Sequence, residues 1–433
     1  MTVHAAARPQ GGRHARRPGP PPLLVPGTIV VTWLLAFGRW GSYLGLDSRS
    51  VYVTDCLLVL GAVWLVARHH PALRSSAAAW RVLLPVLALM GWALIRLLGS
   101  EGLDRDVLRD VAPFVYAGIA LAAVVQADRA AWRRSAAVLG GGLFVHAAWV
   151  TIAFYRPETL RPWTTTLGER TNTFEIRSDF DGAVLALLAA LGLHLLLSHG
   201  SPWRRLLGLV LLLWPSFVIF EIGNRGALLS LITVLLVVLV MNLHVLGRIP
   251  PRVLVPAVLA LVAAAAVVVP STNVYQRLTG GDAESRNSSA GTTSARELAW
   301  RDVLDYTSAE PARLVAGVGF GPDFLVKSGA RVHFGGFYTD VRAAHNSLIN
   351  TYARLGLVGI GLLAWVLVQA GRGAWRLLRA STTDTPSVLL VTIPASLLVA
   401  SLVGVILESP FGAVPIFWAV GRLCVELTGP RRA

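Results

Sequence analysis

His345 and Asn346 open the stretch Arg342-Ala-Ala-His345-Asn346-Ser-Leu-Ile-Asn350-Thr-Tyr-Ala-Arg354-Leu-Gly356-Leu-Val-Gly359-Ile-Gly361. A neutral imidazole near pH 7 can take a proton from a hydroxyl or hydrogen-bond to it, so His345 is a candidate general base. The alternative is a histidine that satisfies backbone groups at a helix start. Asn346 and Ser347 carry the same two readings, because either would make a good N-cap. On a helix, Asn346, Asn350 and Arg354 lie four residues apart and form one polar stripe about 12 Å long. If that helix crosses a bilayer, the stripe lines a cavity or ties the helix to a neighbour.

Arginines are the second chemical resource. Arg225 stands in Phe220-Glu-Ile-Gly-Asn-Arg225-Gly-Ala, a short turn between two apolar runs, where it either faces a pocket or pairs with Glu221 at helical spacing. Arg296 follows Ser294 in Ser-Ala-Arg296-Glu297, which has the form of a capping box and predicts a helix from there to about Tyr306. Arg156, Arg161, Arg170 and Arg177 cluster between two further apolar runs. A guanidinium binds phosphate through two parallel bonds and keeps its charge when partly desolvated, so this supply suits a lipid-linked phosphate. It also suits plain pairing with neighbouring carboxylates. Asp104-Arg-Asp106 and Asp179-Phe-Asp181 could hold a divalent cation, but so short a pattern arises readily by chance in acid-rich segments. Gly317-Val-Gly319-Phe-Gly321-Pro lacks the strand and helix of a dinucleotide loop and predicts a tight turn.

The elements that carry these residues are apolar helices. The chain has 433 residues, 54% hydrophobic and 15% charged, with a mean hydropathy of +0.60. Runs of spanning length recur along nearly all of it, which predicts an all-α, polytopic helical membrane protein. Expected spans are 23–37, 51–67, 82–98, 111–126, 136–155, 183–198, 206–220, 227–243, 253–270, 346–370, 388–407 and 411–427, about 12 transmembrane helices by the length rule. Residues 1–22 read as a disordered basic tail and 428–433 as a second tail. Spans one to nine occupy 23–270, a loop domain with short helices occupies 271–345, and the last three spans occupy 346–427. A formal charge of +15 would point to nucleic acid in a soluble chain. Here the arginines sit between apolar runs, as topology signals do, so no nucleic acid is expected. Gaps holding Arg68, Arg74 and Arg81, Arg129, Arg133 and Arg134, or Arg372, Arg376 and Arg379 are basic and nearly free of acids. The opposite gaps mix both signs, which predicts cytoplasmic termini and an extracytoplasmic loop 271–345. Cys56 and Cys424 lie inside apolar runs and provide no disulfide framework.

Taken together, these residues resemble the O-antigen ligase and O-antigen polymerase family of bacterial membrane glycosyltransferases. His345-Asn346 with Leu355-Gly356-Leu-Val-Gly359 is similar to the family's His-Asn motif and the helix that follows it. Asn224-Arg225-Gly226-Ala is similar to its Ser-Arg-Gly-Ala motif, with Asn in place of Ser. Ser294-Ala295-Arg296 through Trp300, then Gly317-Val-Gly319-Phe-Gly321, is similar to its Gly-Arg…Trp…Gly-x-Gly-x-Gly order, with Ala295 in place of Gly. The resemblance covers about 220–361. Before the sixth span, where many members have an Asn-containing motif, this chain reads Arg177-Ser-Asp179-Phe-Asp181-Gly.

The resemblance implies transfer of a saccharide from a polyprenyl pyrophosphate carrier to an acceptor hydroxyl on a glycan or glycolipid, outside the plasma or inner membrane, with no cofactor and no metal. Arg225 and Arg296, with Arg177 as a third contact, would grip the pyrophosphate. His345 would act on the acceptor hydroxyl, held by Asn346, and Asn350 and Arg354 would line the cavity. Ligase and polymerase are not separated by these motifs. Two other readings stay open: a metal-using transferase that draws on polyprenyl-monophosphate sugars, and a lipid-linked glycan transporter.

Overall fold

The computed structural model describes residues 24–44, 52–75, 77–100, 102–125, 129–160, 162, 166–167, 171–172, 176, 178–198, 200–243, 289–334, 342–380 and 383–428. The expected tail 1–22, the ninth span 253–270, the first part of the loop and Arg177 lie outside them.

The described chain is helical apart from a two-residue antiparallel ladder, Thr166–Leu167 against Thr171–Asn172. Its helices are α1 (Thr28–Tyr43), α2 (Val53–Ser75), α3 (Ala77–Leu98), α4 (Arg105–Tyr116), α5 (Arg129–Tyr155), α6 (Pro157–Leu160), α7 (Ser178–Leu197), α8 (Pro202–Ile222) and α9 (Arg225–Met241). Then come α10 (Ser289–Ser308), α11 (Pro311–Ala316), α12 (Phe324–Lys327), α13 (Ser347–Leu378), α14 (Thr385–Ser401) and α15 (Pro410–Glu426). Helix α4 tightens into a 3₁₀ stretch, Ala117–Val124, beyond Pro113.

Among the described residues, five helical segments are long and apolar enough to cross a membrane: Arg105–Val124, Arg129–Tyr155, Asp179–Leu197, Pro202–Ile222 and Ser347–Leu378. Leu83–Leu98, Arg225–Met241 and Thr385–Ser401 are shorter and equally apolar. This is a helical membrane protein. Helix α7 runs through its centre, with Phe180 and Ala183 to Ala190 at or near zero exposure. It packs on α1, α5, α8, α9 and α14. Hydroxyls link α9, α14 and α7 in series: Ser230 Oγ donates to Ser396 O (3.0 Å), and Ser396 Oγ donates to Ala183 O (2.8 Å). Such bonds give polar groups a partner where water is absent.

Three expected boundaries are corrected. Helix α10 begins at Ser289, so Ser294 lies within it; the capping-box pattern is local, and a longer helix runs through it. The expected span 388–407 leaves the helix at Ser401, and residues 402–409 form a connection to α15. The apolar run continues, but closing turns at Leu402 and Val403, with Gly404 pressed against the Asp179 carboxylate, end the helix early. Helix α13 is broken at Gly356 (φ 65°, ψ −162°), where the sequence predicts an unbroken span.

That break has an identifiable cause. With the helix ladder interrupted, three carbonyls take donors from elsewhere: Val318 N donates to Ala353 O (2.7 Å), Gly319 N to Arg354 O (3.0 Å) and Trp92 Nε1 to Leu355 O (3.0 Å). The loop backbone thus docks into the opened helix. A Cβ on Gly356 would strike the carbonyl of Val315, and one on Gly317 would strike the backbone of Arg354. Glycine at both positions, each with positive φ, lets the two backbones meet. Around this joint the loop builds a small second core from Ala299, Val303, Phe324, Leu325, Ala330, Ala344 and Ala353.

Candidate functional site

The turn that starts α13 is held from four sides. Asn346 is the N-cap, its Oδ1 accepting from Leu348 N (3.0 Å) and Ile349 N (3.2 Å). His345 precedes it at φ 53°, alone among the described non-glycine residues in the left-handed region. Such a backbone survives only where its surroundings fix it. Trp300 Nε1 on α10 donates to Ala344 O (2.6 Å), and the Phe334 ring lies 5.4 Å from the His345 ring, centroid to centroid. Below, the buried Ser347 hydroxyl lies 2.7 Å from Glu408 Oε2 and accepts from Leu407 N (3.4 Å). His345 itself is half-buried.

The connection 402–409 gathers the remaining pieces. Arg296 Nη1, on the same face of α10 as Trp300, donates to Val403 O (2.8 Å). Gly226 lies against that same residue: a Cβ there would be 2.7 Å from Val403 Cγ2. Arg225 is the first residue of α9, exposed, behind the N-cap Asn224, whose Oδ1 accepts from Ala227 N (3.0 Å). Asp179, on the first turn of α7, meets Gly404. The helix starts carrying Arg225 and His345-Asn346, and the helix carrying Arg296, therefore converge on six residues, 403 to 408. Nothing in the motifs pointed to Val403, Gly404 or Glu408. The signal was a lone carboxylate, Glu408, between two apolar runs.

Asn350 and Arg354, expected together, part company. Asn350 lines a cavity of about 20 Å³, room for one water molecule, with Thr351, Glu408, Leu407, Phe114 and Phe417. Arg354 is 1% exposed and holds the glycine-rich loop: Nη1 donates to Pro322 O (2.6 Å) and Gly319 O (3.2 Å), and Nη2 pairs with Asp110 at 2.8 Å. Asp110 also pairs with Arg342 (2.9 Å) and accepts from Gly321 N (3.1 Å). Burial would lower the Arg342 pKa, but hydrogen bonding and charge from Asp110, then charge from Asp106 and Asp323, raise it above its ordinary value.

The Asp-x-Asp pairs divide their members. Asp104 caps α4, accepting from Val107 N (2.8 Å), while Asp106 pairs with Arg342 (3.1 Å). Asp181 lies 3.5 Å from His146 in the helical core, and Asp179 turns to the connection. Among the described residues, no three His, Cys, Asp or Glu side chains come together as a metal site would need. Arg156 is exposed at the end of α5.

The site's motif residues lie in one sequence interval, and that interval has relatives. Residues 210–364 match the O-antigen ligase family. The matched segment contains Arg225, Arg296, His345, Asn346, Asn350 and Arg354, and it ends before the connection 402–409. Comparison of the chain with curated proteins finds no match. The match supports a membrane glycosyltransferase of the O-antigen ligase kind, working on lipid-linked glycan.

Proposed function

We propose that the protein transfers a glycan from a polyprenyl pyrophosphate carrier to an acceptor hydroxyl on the extracytoplasmic face. The observation that carries this reading is the convergence of Arg225-Gly226, Arg296 and the His345-Asn346 turn on the connection 402–409. In this reading two cations and a base-capable imidazole act together around that connection. The anomeric C–O bond to pyrophosphate breaks, and its electron pair leaves with the polyprenyl pyrophosphate. The arginines stabilise that growing charge in place before reaction. The acceptor oxygen forms the new bond to the anomeric carbon, and its proton passes to a His345 ring nitrogen. Asn346 contributes through the turn: its cap fixes where the helix starts and so where His345 points. Asn350 lines a small cavity with Glu408, and Arg354 holds the glycine-rich loop through Gly319 O and Pro322 O. A leaving group neutralised by two guanidinium groups requires no metal in this scheme, and Arg177 would add a third contact.

His345→Ala, Arg225→Ala and Arg296→Ala should each insert and fold yet lose glycan transfer by about 100-fold or more, measured with lipid-linked donor from the source cells. Wild-type turnover by purified His345→Ala would remove the base assignment. Transfer abolished by chelator and by Asp179→Asn, with His345→Ala active, would favour the metal-using reading instead.

A further inference from the structure

Glu408 is placed as a functional carboxyl would be, and the transfer scheme does not use it. The residue is partly exposed, but its two oxygens meet different surroundings. Oε2 lies 2.7 Å from Ser347 Oγ, and because that hydroxyl already accepts from Leu407 N, its proton points to the carboxyl. Oε1 is enclosed, with no protein hydrogen-bond partner, and Glu408 lines the small cavity with Asn350 and Thr351 as its polar neighbours. The rest of the lining, from α3, α4, α13 and α15, is apolar and uncharged: Leu89, Pro113, Phe114, Leu363 and Phe417.

We propose that Glu408 is a positioning residue, a latch that ties the His345 turn, through Ser347, to the connection whose Val403 carbonyl takes Arg296. The latch spaces the imidazole and the guanidinium by a fixed five-residue step of backbone. Burial, followed by the Asp179 charge, raises the Glu408 pKa to about 7, and the Ser347 bond opposes that rise only in part. Of the cations placed around this connection, Arg296 is hydrogen-bonded to Val403 and Arg225 is exposed at the start of α9. The carboxyl is therefore held as the neutral acid below about pH 7. Ionisation strengthens the Ser347 bond itself but places a charge beside a small, mostly apolar cavity with Asp179 as a like charge, and that cost destabilises the fold around the turn. A carboxyl whose folded pKa is raised stabilises the fold fully below its ordinary value of 4.5 and loses that contribution as pH rises through about 7.

The activity half of this inference rests on the glycan-transfer reading, and the stability half does not. The test uses full-length protein in detergent, as wild type, Glu408→Gln, Glu408→Ala and Ser347→Ala. Thermal unfolding and transfer from donor extracted from the source cells are followed from about pH 5 to 8.5. The wild-type midpoint should fall with rising pH, while Glu408→Gln, which can still accept from Ser347 but cannot ionise, should stay flat. Glu408→Ala and Ser347→Ala should lose about 10- to 100-fold in kcat with the donor KM nearly unchanged, and Glu408→Gln should recover most of it without the alkaline decline. A Glu408→Gln unfolding profile that follows wild type would overturn the latch, as would a KM effect with kcat intact. If wild type itself transfers nothing, the glycan reading fails, and the unfolding comparison still decides the latch. Should Glu408→Ala not fold, Ser347→Ala carries the same kinetic test.

Discussion

His345 holds a left-handed backbone conformation, at φ 53°, that costs any residue with a Cβ more than it costs glycine. Only the side chain justifies it, because glycine would sit there without strain. Left-handed geometry costs a non-glycine residue about 1 kcal/mol. His345→Gly should therefore unfold at a higher temperature than His345→Ala, by about 1 kcal/mol in stability, while both fail in glycan transfer. Equal stability of the two variants would mean that Trp300, Phe334 and the Asn346 cap do not force the turn. Arg296 makes a parallel case. Its bond to Val403 O fixes the side chain before any substrate arrives, so little orientational freedom is left to lose on binding.

At the scale of elements, α13 is two helices that share a loop's hydrogen bonds. Gly356→Ala drives a methyl into the Val315 carbonyl at a left-handed position. The expected loss is about 3 kcal/mol or more, read as a lower unfolding midpoint in detergent with the membrane-inserted amount unchanged. Gly317→Ala attacks the same joint from the loop side, and the double variant should cost less than the sum. This joint explains what the sequence could and could not reveal. Residue type and spacing were enough to single out Arg225, Arg296 and His345-Asn346 as candidates, because each carries its signal in its own neighbours. The break at Gly356 was hidden because Leu355-Gly356-Leu-Val-Gly359 continues an apolar helix pattern, and its cause lies in residues 315–319. Asn350 and Arg354 shared a stripe by spacing alone. Their different fates follow from Asp110, more than two hundred residues away in sequence. The connection 402–409 was hidden most completely, because Leu-Val-Gly-Val-Ile-Leu reads as the tail of a span.

For the whole molecule, the charge bias along the chain sets a further expectation. A reporter that works only in the cytoplasm, fused after Ala433, should be active, and one inserted in the loop segment 271–288 should be silent. The opposite pattern would put the His345 turn on the side where nucleotide sugars are made and would end the lipid-carrier reading. Helix α7 also acquires a role at this scale. With Asp179 at one end against Gly404 and Ala183 bonded to α14, the central helix indexes the connection to the bundle.

The connection has a consequence for how the protein comes into being. Every motif residue is synthesised before α14 begins, yet the backbone that brings them together, Val403 to Glu408, follows α14. During translation the loop, its arginine and its histidine are made before the strap that sets their spacing, which arrives only with the last pair of helices. On the proposed reading, a nascent chain stopped after Ala380 should carry the matched segment and transfer no glycan, because the backbone that sets the spacing of its candidate residues is still to be made.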